Sequence, residues 1–347
     1  MLLTLAGERR VLFVGGKGGV GKTSVASALA LARARDGGRV LLVSTDPAHN
    51  LGHIWDTTLS DAAARVFTAS DGYVDAVEID PQANIERHFT AVSATMMKLL
   101  PERLHRSAQA HLDLAKTAPG SHESAVLERI AELLAVGIDS YDLVVFDTAP
   151  SGHTLHLLSL PRKLAGWTES LLASRSRSDR FAAAVRGLVG GEDPEAAGDA
   201  QLRRTLIARR DRFARMNTTI TDRAVTGFVI VTIAERMPVA ESLGIVRQLH
   251  GLGVDVAALV VNRRSPADAG AFLAERRQHE QACLQELQGN LPAVPLIELP
   301  LLVRDLIGEE ALRELAALVS AVENPSSGGP VRGGRAPVRH GRPPRSA

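Results

Sequence analysis

Residues 15–24 read GGKGGVGKTS. Gly16, four intervening residues, then Gly21, Lys22 and Thr23 give the spacing of a phosphate-binding (Walker A) loop. The chemistry asks for each residue type. Glycines let successive backbone N–H groups turn inward around phosphate oxygens without Cβ clashes. Lys22 is expected to reach the β- and γ-phosphates, and Thr23 to offer a hydroxyl to Mg2+. A helix opening here adds the favourable end of its dipole. Gly16, Lys17, Gly18, Gly19, Val20, Gly21, Lys22, Thr23 and Ser24 are therefore the candidate nucleotide-binding segment, with ATP and Mg2+ as expected ligands. A magnesium nucleotide site also needs a carboxylate at a strand end. LVVFD at 143–147 ends in Asp147, an apolar strand followed by an acid, as in a Walker B segment.

Such a loop must sit between a buried strand and a helix, and the sequence around it reads that way. Near-continuous, Val-rich runs recur at 11–15, 40–44, 74–79, 143–147, 227–233, 256–262 and 295–299. Runs of this kind fit strands covered on both faces of a parallel sheet. Helical stretches lie between them at 23–36, 81–135, 236–250, 266–288 and 303–322. The alternation predicts an α/β fold, a doubly wound and mostly parallel sheet of the phosphate-loop NTPase type. Two intervals, about 81–137 and 155–224, are too long for simple crossovers. In the first, Phe89, Val92, Met96, Leu99 and Leu100 fall at helical spacing; the second holds LAGWTESLLA and a polar helix at 201–216. They read as an inserted helical subdomain within a domain spanning 1–323, or as two unrelated surface excursions. Residues 324–347 are Pro, Gly, Ser and Arg with little to bury, and read as a disordered basic tail.

Composition bounds the rest. The chain has 347 residues, 45% apolar but only 3% aromatic, so its core must be mostly Leu, Val, Ile and Ala. Five tail arginines against a net charge of +1 leave the body at −4, which argues against a general nucleic-acid role. The single Cys283 permits no intrachain disulfide and fits a reducing, cytoplasmic setting. No signal peptide is evident at the N-terminus, and no run of about 18 apolar residues spans a membrane.

Two lysines in KGGVGKT mark the deviant Walker A class, which includes septum-site, partitioning and nitrogenase iron-protein ATPases. STDPAHNLG at 44–52 and DTAPSGHTL at 147–155 resemble switch I and switch II of the arsenical-pump and tail-anchored-protein targeting ATPase family. PGSHESAV at 119–126, VTIAE at 231–235, VVN at 260–262 and ELPLLVRDLIGEEAL at 298–312 are similar to further segments of that family, over about residues 9–322. The resemblance implies an ATP-hydrolysing homodimer. In it, Lys17 reaches across to the partner's nucleotide and Asp46 positions or activates the attacking water. Thr23 ligates Mg2+, Asp147 supports the ion through water, Asn262 reads the adenine and Glu235 lies near the nucleotide. His49 and His153, in the two switches, are read as holding switch conformations. The trans lysine makes physical sense, because extra positive charge on the transferring oxygens lowers the barrier while Lys22 is committed in cis.

The sequence also departs from that family. Its arsenite-pump members bind the metalloid through several thiolates, and one cysteine cannot form such a site. Its eukaryotic targeting members hold zinc at the dimer interface through a CxxC pair, which is absent here. His279 and Cys283 share a helical face and could pair across a dimer axis, but Cys283 also lines up with Phe272, Leu273, Leu284 and Leu287 as a core residue. A Met-rich client groove is thinly supported, since only Met96, Met97 and Met216 fall in the inserts. Three functions stay open: an ATPase handling a hydrophobic client segment, an ATPase driving a membrane transporter subunit, and a nucleotide-gated regulatory switch of the septum-site or partitioning type. The tail has no apolar face for a membrane helix.

Overall fold

In the computed structural model of the chain, residues 1–46, 50–99, 102–116, 121–148, 158–160 and 196–321 are described. The Val-rich runs form one eight-stranded sheet: β1 (Val11–Gly16), β2 (Arg39–Ser44), β3 (Ala64–Thr68), β4 (Tyr73–Glu78), β5 (Leu143–Asp147), β6 (Thr226–Ile233), β7 (Val256–Arg264) and β8 (Leu296–Pro300). The order is β3-β4-β2-β5-β1-β6-β7-β8, and every pairing is parallel except β3 with β4. The expected doubly wound α/β architecture is what forms.

The strands are apolar on both faces because each face meets its own layer of helices. Phe13, Leu41, Val43, Val144, Phe146, Phe228 and Ile230 point into one core, while Leu12, Val14, Leu42, Val145, Val229 and Val231 point into the other. The first core is covered by α6 (Ser121–Ser140), α7 (Ala196–Thr221), α8 (Arg236–Leu252) and α9 (Ala271–Asn290). The second is covered by α1 (Leu2–Glu8), α2 (Lys22–Arg35), α3 (Asn50–Trp55) and α10 (Gly308–Ala321). At the centre of the first core Phe13 stacks on Phe146 with ring centroids 4.8 Å apart, and on Phe228 at 6.2 Å. Truncating one of these rings to alanine costs about 3–5 kcal/mol.

The long helical interval is divided rather than continuous. It forms α4 (Pro81–Leu99), α5 (Glu102–Lys116) and α6. Ile85, Phe89, Leu112 and Ala125 join these three helices, with Val92 against them. Helix α7 packs on α6 through Phe213 and Met216, and Arg209 pairs with Glu128 at 2.9 Å. Met216 is therefore core, 3% exposed, and not part of an open groove. The polar helix expected at 201–216 runs from Ala196 to Thr221.

Other boundaries also differ from those the sequence predicts. Helix α9 begins at Ala271, five residues late, because Gly270 at its N-cap holds φ +99. Helix α10 begins at Gly308 with Glu309 and Glu310 in the first turn, where acids favour the helix dipole, so 303–307 precedes the helix. Strand β3 and helices α1 and α3 add to the predicted elements. Strand β3 buries only Phe67 and lies at the sheet edge, where Arg65 covers the Tyr73 ring. His49, His153, Met96's side chain, most of 155–224 and the tail from 324 lie outside the described residues.

Candidate functional site

The candidate residues converge at the C-terminal edge of the sheet, where ligands of open α/β sheets bind. Strand β1 delivers the loop, β2 leads to Asp46, β5 ends in Asp147, β6 leads to Glu235 and β7 carries Asn262. Strand β1 sits between β5 and β6, so the loop lies centrally among them.

The loop's backbone is set by its glycines. A Cβ at Gly16 would strike the Val231 carbonyl oxygen, so glycine there lets β1 run hard against β6. Gly21, with φ +93, lies against the Asn262 carboxamide and caps α2. A Cβ at Gly18 would meet nothing within 4 Å. The protein's own packing thus leaves space above Gly18, as a phosphate cradle requires.

Both lysines of the loop are tied down. Lys22 is 6% exposed and its Nζ donates to the Lys17 carbonyl at 3.2 Å. Burial pushes its pKa down, opposed by the charges of Asp147 and Asp46. The Lys17 ammonium donates to Glu241 Oε1 on α8 at 2.8 Å. Val20 is buried in the α2-side core, and its carbonyl accepts from Asn262 Nδ2 at 2.9 Å.

Asp147 is fully buried, and among the described residues neither carboxylate oxygen has a hydrogen-bond partner of good geometry. Burial pushes its pKa up to about 7, with the Thr23 hydroxyl and Lys22 opposing. A carboxylate without partners in the interior is costly unless something charged meets it. With the Thr23 hydroxyl beside it, this donor set fits a hard divalent cation such as Mg2+ that keeps part of its water shell. The strand end is rigid: Thr45 N donates to the Asp147 carbonyl at 2.9 Å, and the Thr148 hydroxyl to Val14 O at 2.9 Å.

Asp46 is the last described residue before 47–49, with its amide donating to Ser44 Oγ at 3.3 Å. Glu235 sits at the N-cap position of α8, half exposed, with its carboxylate accepting from Arg276 at 2.9 Å and not capping the helix. Ser24 lies in the first turn of α2. Cys283 is buried in the first core and its thiol pKa is raised by burial, whereas His279 is exposed and bonded to the Glu275 carbonyl. The two do not face a common open site. Among the described residues no group of three candidate metal-binding side chains occurs.

Three further acids shape the site. Glu78, at the end of β4, is buried and accepts from Leu51 N at 2.9 Å and Gly52 N at 3.1 Å. It thereby caps α3, the helix just after the Asp46 segment. Its signal is the same strand-then-acid pattern that marks Asp147. Glu280 accepts from Ser265 N and Oγ and pairs with the buried Arg264, two residues beyond Asn262. Glu241 has no local signal, because an acid inside a helix normally reads as a solvated face.

Comparison with known proteins bears on this arrangement. Residues 9–321 match the family described as anion-transporting ATPase. The chain is 29% identical over 308 residues to the putative arsenical pump-driving ATPase 2 of Aquifex aeolicus, covering 88% of this chain and 98% of that one. It is 29% identical over 322 residues to the ATPase GET3 of Pyricularia oryzae, and 31% over 323 residues to the ATPase get3 of Aspergillus terreus. Each of those alignments covers 89% of this chain and 90% of the relative.

Proposed function

The chain belongs to the anion-transporting ATPase family and hydrolyses ATP, and we propose that it does so with Mg2+ as a homodimer whose closure handles a hydrophobic client segment. One observation carries the chemistry: the buried Lys22 and Asp147, the latter without a hydrogen-bond partner of good geometry among the described residues, lie at a glycine loop with open space above Gly18.

Phosphoryl transfer asks a protein mostly for positioning and charge. In this reading the amides of Gly18 to Thr23 hold the phosphates and Lys22 balances their charge from within the subunit. When bound, Mg2+ held by the Thr23 hydroxyl and, through water, by Asp147 neutralises charge on the phosphate oxygens. Asp46 orients the attacking water and accepts its proton. Lys17 completes the site from a second copy, so hydrolysis waits for closure. Asn262, with one N–H and one lone pair uncommitted, meets the adenine. Glu235 stands at the rim.

For cargo, we take α4 to α7, with the undescribed part of 155–224, as the client-handling subdomain, of which α6 and α7 also cover the sheet, and the cytoplasm as its setting. A membrane transporter is taken as a separate partner, and among the described residues no helix is long and apolar enough to cross a membrane. The Aquifex relative is named for an arsenical pump. One buried cysteine per chain gives a dimer only two thiols, which disfavours a three-thiolate arsenite site here.

The test is ATP turnover of wild type, Lys17→Ala and Asp46→Asn, with sedimentation in a non-hydrolysable ATP analogue. Each variant is expected to lose about 10²-fold or more in turnover, and wild type to sediment as a dimer with the analogue. Wild-type rates in both variants would overturn the assignment. Recovery of a hydrophobic segment that leaves on hydrolysis supports the client reading; a monomer at all nucleotide states refutes the dimer.

A further inference from the structure

Lys17 is held at two points. Its carbonyl accepts from Lys22 Nζ at 3.2 Å, and its own ammonium donates to Glu241 Oε1 at 2.8 Å. We propose that Glu241 is a positioning residue that parks Lys17 in its own subunit, so this ion pair must open before Lys17 can serve nucleotide bound by a second copy. The inference rests on the trans-acting lysine proposed above.

Several observations point to parking and not to a permanent brace. The Lys17 and Glu241 side chains are 33% and 40% exposed. A pair wet to that degree is worth little and is screened by salt, so it holds a lysine without locking it. The neighbours of Lys17 give it room to move, since a Cβ at Gly18 or Gly19 would meet nothing within 4 Å. Helix α8, which bears Glu241, is anchored by Val239, Leu243, Ile245, Val246 and Leu249 in the first core. The acid therefore stays where it is and the lysine is the mobile partner. An ammonium is a compact charge that can lie against one anion at close range. Glu241 and a phosphate group on the partner then compete for the same cation.

This makes the free energy of leaving Glu241 part of the cost of closure. It leaves nucleotide binding within the subunit alone, because that is the work of Lys22. Removing the Glu241 charge should therefore change how readily the second copy is engaged, and not how tightly ATP is held.

The experiment measures ATP turnover per subunit over a range of protein concentrations for wild type, Glu241→Gln and Lys17→Ala, each at low and at high salt. Glu241→Gln is expected to turn over about two- to fivefold faster than wild type in dilute protein, the range an exposed pair can supply. The advantage should vanish at saturating protein, and at about 1 M salt, where charges are screened beyond about 3 Å. Affinity for a non-hydrolysable ATP analogue should match wild type. A Glu241→Gln rate at or below wild type in dilute protein, with Lys17→Ala inactive, would overturn the parking role and leave the trans lysine standing. Wild-type turnover by Lys17→Ala would instead remove the trans lysine, and the parking role with it.

Discussion

Asn262 Nδ2 donates to the Val20 carbonyl at 2.9 Å, so the end of β7 braces the phosphate loop from 242 residues away. Its Oδ1 accepts from Arg263 N at 2.9 Å, where Arg263 holds the left-handed backbone, φ 56. Asn262→Ala leaves both groups without that partner. We expect the ATP dissociation constant to rise about tenfold and stability to fall by about 1–2 kcal/mol. Calorimetric titration and thermal unfolding check this; affinity within twofold of wild type would mean the brace is idle.

Asp147 trades stability for function. Its buried carboxylate, without a hydrogen-bond partner of good geometry among the described residues, costs free energy in the absence of a cation. Asp147→Asn should raise the stability of nucleotide-free protein by about 1 kcal/mol or more while cutting Mg2+-dependent turnover about 100-fold. Urea unfolding without metal, set beside turnover, reads both. Loss of stability on substitution would show that the carboxylate is satisfied in solution.

Glu78 is felt electrostatically at Asp147, and it also holds the start of α3. Glu78→Ala removes the acceptor of Leu51 N and Gly52 N at the start of α3. Turnover should drop about tenfold with ATP affinity kept, and stability by about 1–2 kcal/mol. Restoration of turnover by Glu78→Gln, which keeps an acceptor oxygen, separates capping from charge. A Glu78→Ala enzyme with unchanged turnover would release the residue from this role.

The Asp142–Arg39 pair sets an acid limit. Asp142 accepts from Arg39 N at 2.9 Å and from its guanidinium at 2.9 and 3.1 Å, and these bonds hold its pKa at about 2. Because the folded value lies below the unfolded one, the contribution is present above about pH 4 and is lost as pH falls towards 2. Partial exposure keeps it near 1 kcal/mol. Asp142→Asn should therefore be less stable than wild type at pH 7 by about that amount, with the gap closing below pH 3. A gap independent of pH in denaturant melts would reject the assignment.

How much of this can be read from residues alone depends on how local each constraint is. Strands β1, β2 and β5 are legible because two-sided burial keeps their middles apolar. Strand β3 is not, since a short edge strand with one buried side chain leaves hardly a pattern. The division of 81–140 into three helices is hidden by helical spacing that recurs along the whole interval. The loop is legible because each backbone position dictates its residue. Glu241 and Glu280 stay hidden, because an acid on a helix shows nothing locally of a lysine 224 positions away or of a buried arginine.

The loop's glycines answer to different masters. Position 16 is fixed by the Val231 carbonyl pressed against it, so any side chain there would push the central strands β1 and β6 away from each other. Position 18 has no such neighbour. A lineage that abandoned nucleotide use would be free to drift at 18 while 16 stayed glycine. Within this one loop, the fold and the ligand thus leave separate marks on the gene.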